Sequence, residues 1–398
     1  MPPSLDKHTR VGVLGAGAMG SGIAQVAALA GHDVVVADSH AIAIEKAHKS
    51  VHANLTRDVE KKRLTSAEAK AAEERMRFVT SAGDDVGAFR NCGLVIEAIV
   101  EDLAIKRRAF AAIDAAVSAD CVLASNTSSL SVTAIAAGRT NVGRFIGLHF
   151  FNPATVLPLV EVVGALTSDA SVVASARALV DTWGKVTVLT ADTPGFIVNR
   201  VARPYYGESL RMLEEGIADA VTIDWAMKEI GGFKMGPFEL MDLIGNDVNY
   251  AVTKSVFEAL GYDPRYRPSV IQRRMVDAGR LGKKSGAGYY DYSADAGKPM
   301  PAADSRIGQL IVDRVVAMLI NEAADALLFK IASRDDIDLA MKRGMNYPRG
   351  LLAWADDIGI SVVHDRLAAL QSEYGEDRYR PSALLKRLAN AGARFYPA

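Results

Sequence analysis

The sequence predicts an α/β domain followed by two all-α C-terminal domains related by internal duplication. Three observations carry this. Short apolar runs alternate with helical stretches over residues 10–190, a glycine-rich turn follows the first run, and identities recur at a fixed offset beyond residue 193. A length of 398 residues suggests two or three domains, since single cores tend to split beyond about 250–300 residues. At 49% hydrophobic and 23% charged residues, the composition excludes a disordered, collagenous or fibrous chain. The 46 basic and 47 acidic residues nearly cancel, which argues against a nucleic-acid partner held by bulk charge. Cys92 and Cys121 are too few for a disulfide framework or a metal cluster and read as small buried residues in a reducing compartment.

The runs Val11–Leu14, Val34–Ala37, Leu94–Ile96, Val122–Ala124, Phe145–Leu148, Leu159–Val163 and Val186–Leu189 read as buried parallel strands. Between the second and third lies a charged helical stretch, Ala41–Met76. It contains the basic run Lys61-Lys62-Arg63 and a Thr65-x-x-Glu68 capping box, so it reads as two antiparallel helices projecting from the sheet.

The first strand runs into Gly15-Ala16-Gly17-Ala18-Met19-Gly20, which opens a helix over Ala18–Leu29, and the second strand ends in Asp38. This strand–turn–helix–strand–Asp context predicts a Rossmann-like dinucleotide-binding domain. Gly15 permits the tight turn, Gly17 lets backbone approach a pyrophosphate, and Gly20 permits close helix–strand packing. The phosphates then meet the positive end of the helix. Asp38 would accept from the adenine ribose hydroxyls. A carboxylate there repels a 2′-phosphate, and Ser39-His40 offers no arginine, so the expected cofactor is NAD.

Glu97 and Glu101 follow the third strand, Ser125-Asn126-Thr127-Ser128-Ser129 the fourth, and His149-Phe150-Phe151-Asn152-Pro153 the fifth, with Glu161 downstream. Ligands of doubly wound sheets bind at the carboxyl ends of the strands. Alcohol oxidation needs a base for the hydroxyl proton while hydride leaves the carbon, and a histidine oriented by a carboxylate suits that task. Singly, His149 also fits a core histidine, Glu161 a salt-bridge partner and the serine run a helix cap; their joint placement favours chemistry.

Together these residues resemble the L-3-hydroxyacyl-CoA dehydrogenase family. The matching segments are GAGAMGSGIAQ at 15–25, EAIVED at 97–102, ASNTSSL at 124–130, GLHFFNP at 147–153, LPLVEVV at 157–163, DTPGFIVNR at 192–200 and GPFELMDLIG at 236–245. The resemblance implies NAD-linked interconversion of (3S)-3-hydroxyacyl-CoA and 3-ketoacyl-CoA, in fatty-acid or aromatic-acid degradation. It implies that His149 is the base, Glu161 its partner, and Ser128 and Asn199 the groups on the reacting oxygen. Met19, Glu101, Lys106 and Asn126 would be further cofactor contacts, and Asn152 would lie near the substrate carbonyl. Lys61, Lys62 and Arg63 sit where the family's helical protrusion meets the coenzyme A phosphates, although a charge run also fits a solvated helix face.

Beyond Thr193, Ile197-Val198-Asn199-Arg200-Val201 matches Ile311-Val312-Asp313-Arg314-Val315, 114 positions apart, as 311 is from 197. Glu208 and Glu322, Asp224 and Asp338, and Asp242 and Asp356 share that spacing, and Tyr266-Arg267-Pro268-Ser269 matches Tyr379-Arg380-Pro381-Ser382 after a one-residue slip. The expected domains are therefore 1–191, dinucleotide-binding with the protrusion near 41–76; 192–292, completing the active site; and 304–398, a structural duplicate, with Ser293–Asp304 as linker. Asn199 becomes Asp313 in the second copy, and the loop Leu281–Tyr290 has no full counterpart. Single-copy members resemble obligate dimers. The second copy is thus expected to form an internal pseudo-dimer, leaving a monomer or weak homodimer.

No membrane or nucleic-acid partner is expected. Met1–Arg10 is polar, and Ile311–Phe329 is broken by Asp313, Arg314, Asn321, Glu322 and Asp325, so it reads as an amphipathic helix in a cytoplasmic protein. Other readings are a dehydrogenase of free 3-hydroxy acids and a catalytically silent NAD-binding protein. The acyl chain is open among 3-hydroxybutyryl, longer 3-hydroxyacyl and 3-hydroxyadipyl. A dicarboxylic tail would need a deep cation such as Arg203 or Lys234.

Overall fold

The computed structural model describes residues 5–81, 86–295, 297 and 299–397. It divides into two compact units, Met1–Phe196 and Ile197–Ala398.

The first unit is built on one eight-stranded sheet of order β3-β2-β1-β4-β5-β6-β7-β8. Its strands are β1 (Val11–Leu14), β2 (Val34–Asp38), β3 (Met76–Thr80), β4 (Leu94–Glu97), β5 (Val122–Ser125), β6 (Phe145–Phe150), β7 (Leu159–Gly164) and β8 (Val186–Ala191). Its helices are α1 (Ala18–Leu29), α2 (Ala41–Glu60), α3 (Ser66–Glu74), α4 (Leu103–Ala116), α5 (Val132–Ala136) and α6 (Ala170–Asp181). On one face Val11, Val13, Val34, Val36, Leu94 and Ile96 pack against α1, α2, α3 and α6. On the other Leu14, Val35, Val95 and Leu123 meet Phe110 and Ile113 of α4 and Ile135 of α5. Burial on both faces explains the continuous apolar runs.

Two sequence expectations need correction. Met76–Thr80 closes the sheet edge as β3, where the helical stretch was expected to end and no strand was expected. Arg77 of this strand is exposed, so the run lacks the unbroken apolar signature of its neighbours. Also, β7 is antiparallel to β6, not parallel. The 151–158 connection contains no helix, and a parallel return needs a crossover. Cys92 and Cys121 are buried, which pushes their thiols up to about 11 and about 12.

In the second unit the first copy supplies α7 (Val198–Val201), α8 (Arg203–Glu214), α9 (Ala220–Trp225), α10 (Pro237–Ile244), α11 (Asn246–Ala259) and α12 (Val270–Asp277). The second supplies α13 (Ser305–Leu328), α14 (Arg334–Gly344), α15 (Leu351–Ile358), α16 (Ile360–Tyr374) and α17 (Ala383–Ala391). Both copies fold into this one unit, with α13 packed on α8. The residues from Val315 to Ala326 are all buried, so α13 is not the amphipathic helix its charges suggested.

Arg314, Glu322 and Asp325 pair with the other copy, whereas Asp313 pairs with Arg366 of its own. Glu208 accepts from Arg314 Nε at 3.0 Å and the Tyr379 hydroxyl at 3.1 Å, and Arg378 Nε lies 3.4 Å away. In mirror fashion Glu322 accepts from the Tyr266 hydroxyl and lies 3.1 Å from Arg265 Nη1 and 3.8 Å from Arg200 Nε. Each copy's buried glutamate is thus held wholly by groups of the other. Within each copy a second network repeats. Asp224 accepts from Phe238 N, Glu239 N and the Tyr290 hydroxyl, while Asp338 accepts from Leu352 N, Ala353 N and the Tyr396 hydroxyl. Likewise Asp242 accepts from Tyr289 N and Tyr290 N, and Asp356 from Phe395 N and Tyr396 N. The chain's last aromatic pair therefore plays the part of Tyr289-Tyr290, an equivalence the shortened second loop hides from a fixed-offset comparison.

Candidate active site

Most predicted site residues of the first unit lie at the carboxyl ends of its parallel strands, the edge where such sheets bind ligands. After β1, Gly15 has φ +107°, and a Cβ there would lie 2.5 Å from Ala98 O. A Cβ on Gly20 would lie 1.9 Å from Gly15 O, whereas Gly17, just before α1, faces open space. The turn therefore has backbone packed tightly on its inner side and room outside, the shape a pyrophosphate requires. Asp38 Oδ2 accepts from Ala16 N at 2.8 Å, tying β2 to the turn, and Oδ1 accepts from His40 N at 2.9 Å. Met19 is half-buried in the first turn of α1. Gly20→Ala is expected to cost about 1–3 kcal/mol through backbone overpacking. A fluorescence titration should show the NADH Kd raised about tenfold or more.

The ends of β4 and β5 are joined by buried charge. Lys106 Nζ donates to Glu97 Oε1 at 2.5 Å and lies 3.2 Å from Glu101 Oε2, and Ser125 Oγ donates to Glu97 Oε2 at 2.7 Å. Lys106 is 1% exposed, so its ammonium acts on the two glutamates and not on solvent. Glu101 Oε1 accepts from Thr127 Oγ1, Ser128 N, Ser129 N and Ser129 Oγ at 2.6–3.1 Å and so shapes the serine turn. Partial burial pushes the Glu101 carboxyl up, but Lys106 and these hydroxyls prevail and hold it below its ordinary value. Asn126 Oδ1 accepts from Phe150 N at 2.8 Å, linking the serine turn to β6. Ser128 is half-buried within that turn.

His149 and Glu161 are directly opposite in the β6–β7 register. Nδ1 of the histidine lies 2.6 Å from Glu161 Oε2, with the residues 5% and 0% exposed. The imidazole is flanked by the Phe151 ring at 4.5 Å and the Phe196 ring at 5.8 Å. Phe196 reaches this position through a left-handed turn at Gly195 (φ +76°) and Phe196 itself (φ +46°). Asp192, at the foot of β8, accepts from Ser131 Oγ, Val132 N and Thr133 N and anchors the start of α5. The Asp-Thr-Pro-Gly-Phe segment does not by itself assign a role to Asp192 or Phe196. Their long-range partners leave no local signal, although a Pro-Gly pair before an aromatic residue marks a deliberate turn.

Asn152 is exposed in the loop after β6. Lys61 and Lys62 are exposed at the α2–α3 turn, and Arg63 beside them pairs with Asp58 at 3.2 Å. Asn199 lies half-buried on α7 of the second unit. Among the described residues no cluster of His, Cys, Asp and Glu could hold a metal ion, and no helix is long and apolar enough to cross a membrane.

Comparison with known proteins agrees with this arrangement. Residues 10–193 match the NAD-binding domain of the 3-hydroxyacyl-CoA dehydrogenase family, and residues 195–292 and 310–394 match that family's C-terminal domain. The 3-hydroxyadipyl-CoA dehydrogenase of Escherichia coli is 39% identical, with 95% of this chain and 97% of that one covered. The 3-hydroxybutyryl-CoA dehydrogenase of Bradyrhizobium diazoefficiens is 38% identical, and its 97% coverage takes up only 73% of this chain. The crystal structure of 3-hydroxybutyryl-CoA dehydrogenase from Escherichia coli superposes with a TM-score of 0.92 at 38% identity over 97% of this chain and 99% of that one. The chain belongs to the 3-hydroxyacyl-CoA dehydrogenase family and is an NAD-dependent oxidoreductase.

Proposed function

We propose that the protein interconverts (3S)-3-hydroxyacyl-CoA and 3-ketoacyl-CoA with His149 as base, Glu161 as its partner, and Ser128 and Asn199 on the reacting oxygen. The observation that carries this is the buried His149–Glu161 pair at 2.6 Å. A carboxylate oxygen can only accept, so Nδ1 holds the proton and Nε2 offers the lone pair that takes the 3-hydroxyl proton. The imidazolium so formed is stabilised by Glu161, and Phe151 and Phe196 keep its surroundings apolar, which strengthens that interaction. In the opposite direction the same Nε2 returns the proton to the ketone oxygen. NAD, when bound, supplies the hydride acceptor.

Gly15, Gly17, Met19, Gly20 and Asp38 would hold that cofactor, with Asn126 and Glu101 beside it and Lys106 acting through Glu101. Asn152 would lie near the substrate carbonyl, and the exposed Lys61 and Lys62 near the phosphates of coenzyme A. The domain reading is 1–191, 192–292 and 304–398, the first helical copy completing the active site and the second serving structure. Because that copy occupies the place of a partner, the protein would be a monomer or a weak homodimer. The names of its relatives make 3-hydroxybutyryl and 3-hydroxyadipyl the acyl groups to test first. Mixing the protein with acetoacetyl-CoA and NADH should consume NADH absorbance. Absence of NADH oxidation with every 3-ketoacyl-CoA tried would overturn the reading.

A further inference from the structure

The helical unit holds a buried cation that no carboxylate meets among the described residues. Arg203, the first residue of α8, is 6% exposed. Its Nη1 donates to Thr253 Oγ1 at 3.1 Å, and its guanidinium lies 4.9 Å from the Tyr206 ring centre. Its Nε has no hydrogen-bond partner. Burial pulls its pKa below the usual arginine range, and the groups opposing that pull are Tyr206 and Tyr347, not an acid. Tyr347, contributed by the second copy, is 5% exposed, and its hydroxyl is likewise without a partner. The other buried arginines of this unit, Arg200, Arg265, Arg314 and Arg378, each lie beside a glutamate. At the fixed offset Arg203 corresponds to Ala317, so the second copy has no such cation. Lys234, the other candidate for a deep cation, is exposed.

Burying an unpaired charge is costly unless something of opposite sign completes it. Arg203 stands four residues beyond Asn199, past the Ala202 junction of α7 and α8, where the backbone stays right-handed helical (φ −79°, ψ −9°). One helical turn is about 5.4 Å. A six-carbon dicarboxylic acyl chain spans about that distance from its C3 oxygen to its terminal carboxylate.

We propose that Arg203 and the Tyr347 hydroxyl form the subsite for the terminal carboxylate of a six-carbon dicarboxylic 3-hydroxyacyl-CoA. This rests on the reading that Asn199 touches the reacting oxygen. Arg203 makes a charge-assisted contact there, and Tyr347 gives the carboxylate a second donor, so both orphaned groups are satisfied by one ligand.

The test compares kcat/KM for 3-hydroxyadipyl-CoA and 3-hydroxyhexanoyl-CoA, which have the same chain length and differ in the carboxylate. The wild-type enzyme should favour the adipyl substrate by about a hundredfold. Arg203→Met should cut that ratio by about a hundredfold, and Arg203→Lys should restore part of it. Tyr347→Phe, which removes one oxygen and is the milder change, should lower the ratio by about tenfold. A wild-type ratio near one overturns the subsite, and so does a parallel loss of both activities in the Arg203 and Tyr347 variants. Asn199→Ala should lower both kcat/KM values with the ratio kept. If it lowers neither, the underlying assignment of Asn199 fails, separately from the subsite.

Discussion

His149→Gln is expected to lower kcat by about 10²–10⁴-fold, the range that a positioned general base contributes, while the Kd for NADH changes less than about twofold. Glutamine is the informative substitution because Glu161 is fully buried and its carboxylate needs a donor. The amide nitrogen can take over the bond that Nδ1 makes at 2.6 Å, so the fold keeps its buried acid satisfied and only the base is lost. Alanine would remove the base and the carboxylate's Nδ1 partner together, mixing a stability effect into the kinetics. The measurements are a steady-state rate with acetoacetyl-CoA and a fluorescence titration with NADH. Turnover near that of the wild type would remove His149 from the reaction. Weakened NADH binding with normal turnover would make it a structural residue of the cofactor edge.

Much of the first unit was legible because its strands are buried on both faces and write themselves as apolar runs. What escaped was what edges and long-range pairs decide. Among the described residues the strand Met76–Thr80 has one strand neighbour, β2, so its exposed Arg77 breaks the pattern. The pairing of His149 with Glu161 depends on β7 running antiparallel, which only the helix-free loop 151–158 signals. The roles of Asp192 and Phe196 rest on contacts made across the fold. In the second unit the repeat was visible, yet its charged members read as a solvated face of α13. Arg200 and Arg314, Glu208 and Glu322, and Tyr266 and Tyr379 recur in both copies. Polar residues kept in both halves of a repeat, inside otherwise apolar stretches, are what a self-complementary interface requires.

That interface carries the second large prediction. A chain ending at residue 303 should be dimeric or insoluble by light-scattering chromatography. Its removal strips Glu208, 1% exposed, of Arg314, Arg378 and Tyr379 together. Losing one partner of a buried ion pair typically costs about 3–5 kcal/mol, and the truncation also uncovers the face of α8 that α13 covers. The remaining copy still owns the complementary groups. Arg200, Arg265 and Tyr266, which hold Glu322 in the intact chain, would be left without it. Two truncated chains related by a twofold axis can place each Glu208 on the partner's arginines and tyrosine, reproducing both halves of the present network. Dimerisation is therefore the outcome that satisfies every orphaned charge, and aggregation the outcome if the helices pack otherwise. Adding Glu208→Gln to the truncated chain should weaken the dimer, because the partner's arginines then meet a neutral amide. A soluble, monomeric truncation with unchanged thermal stability would show that the second copy is not a built-in partner.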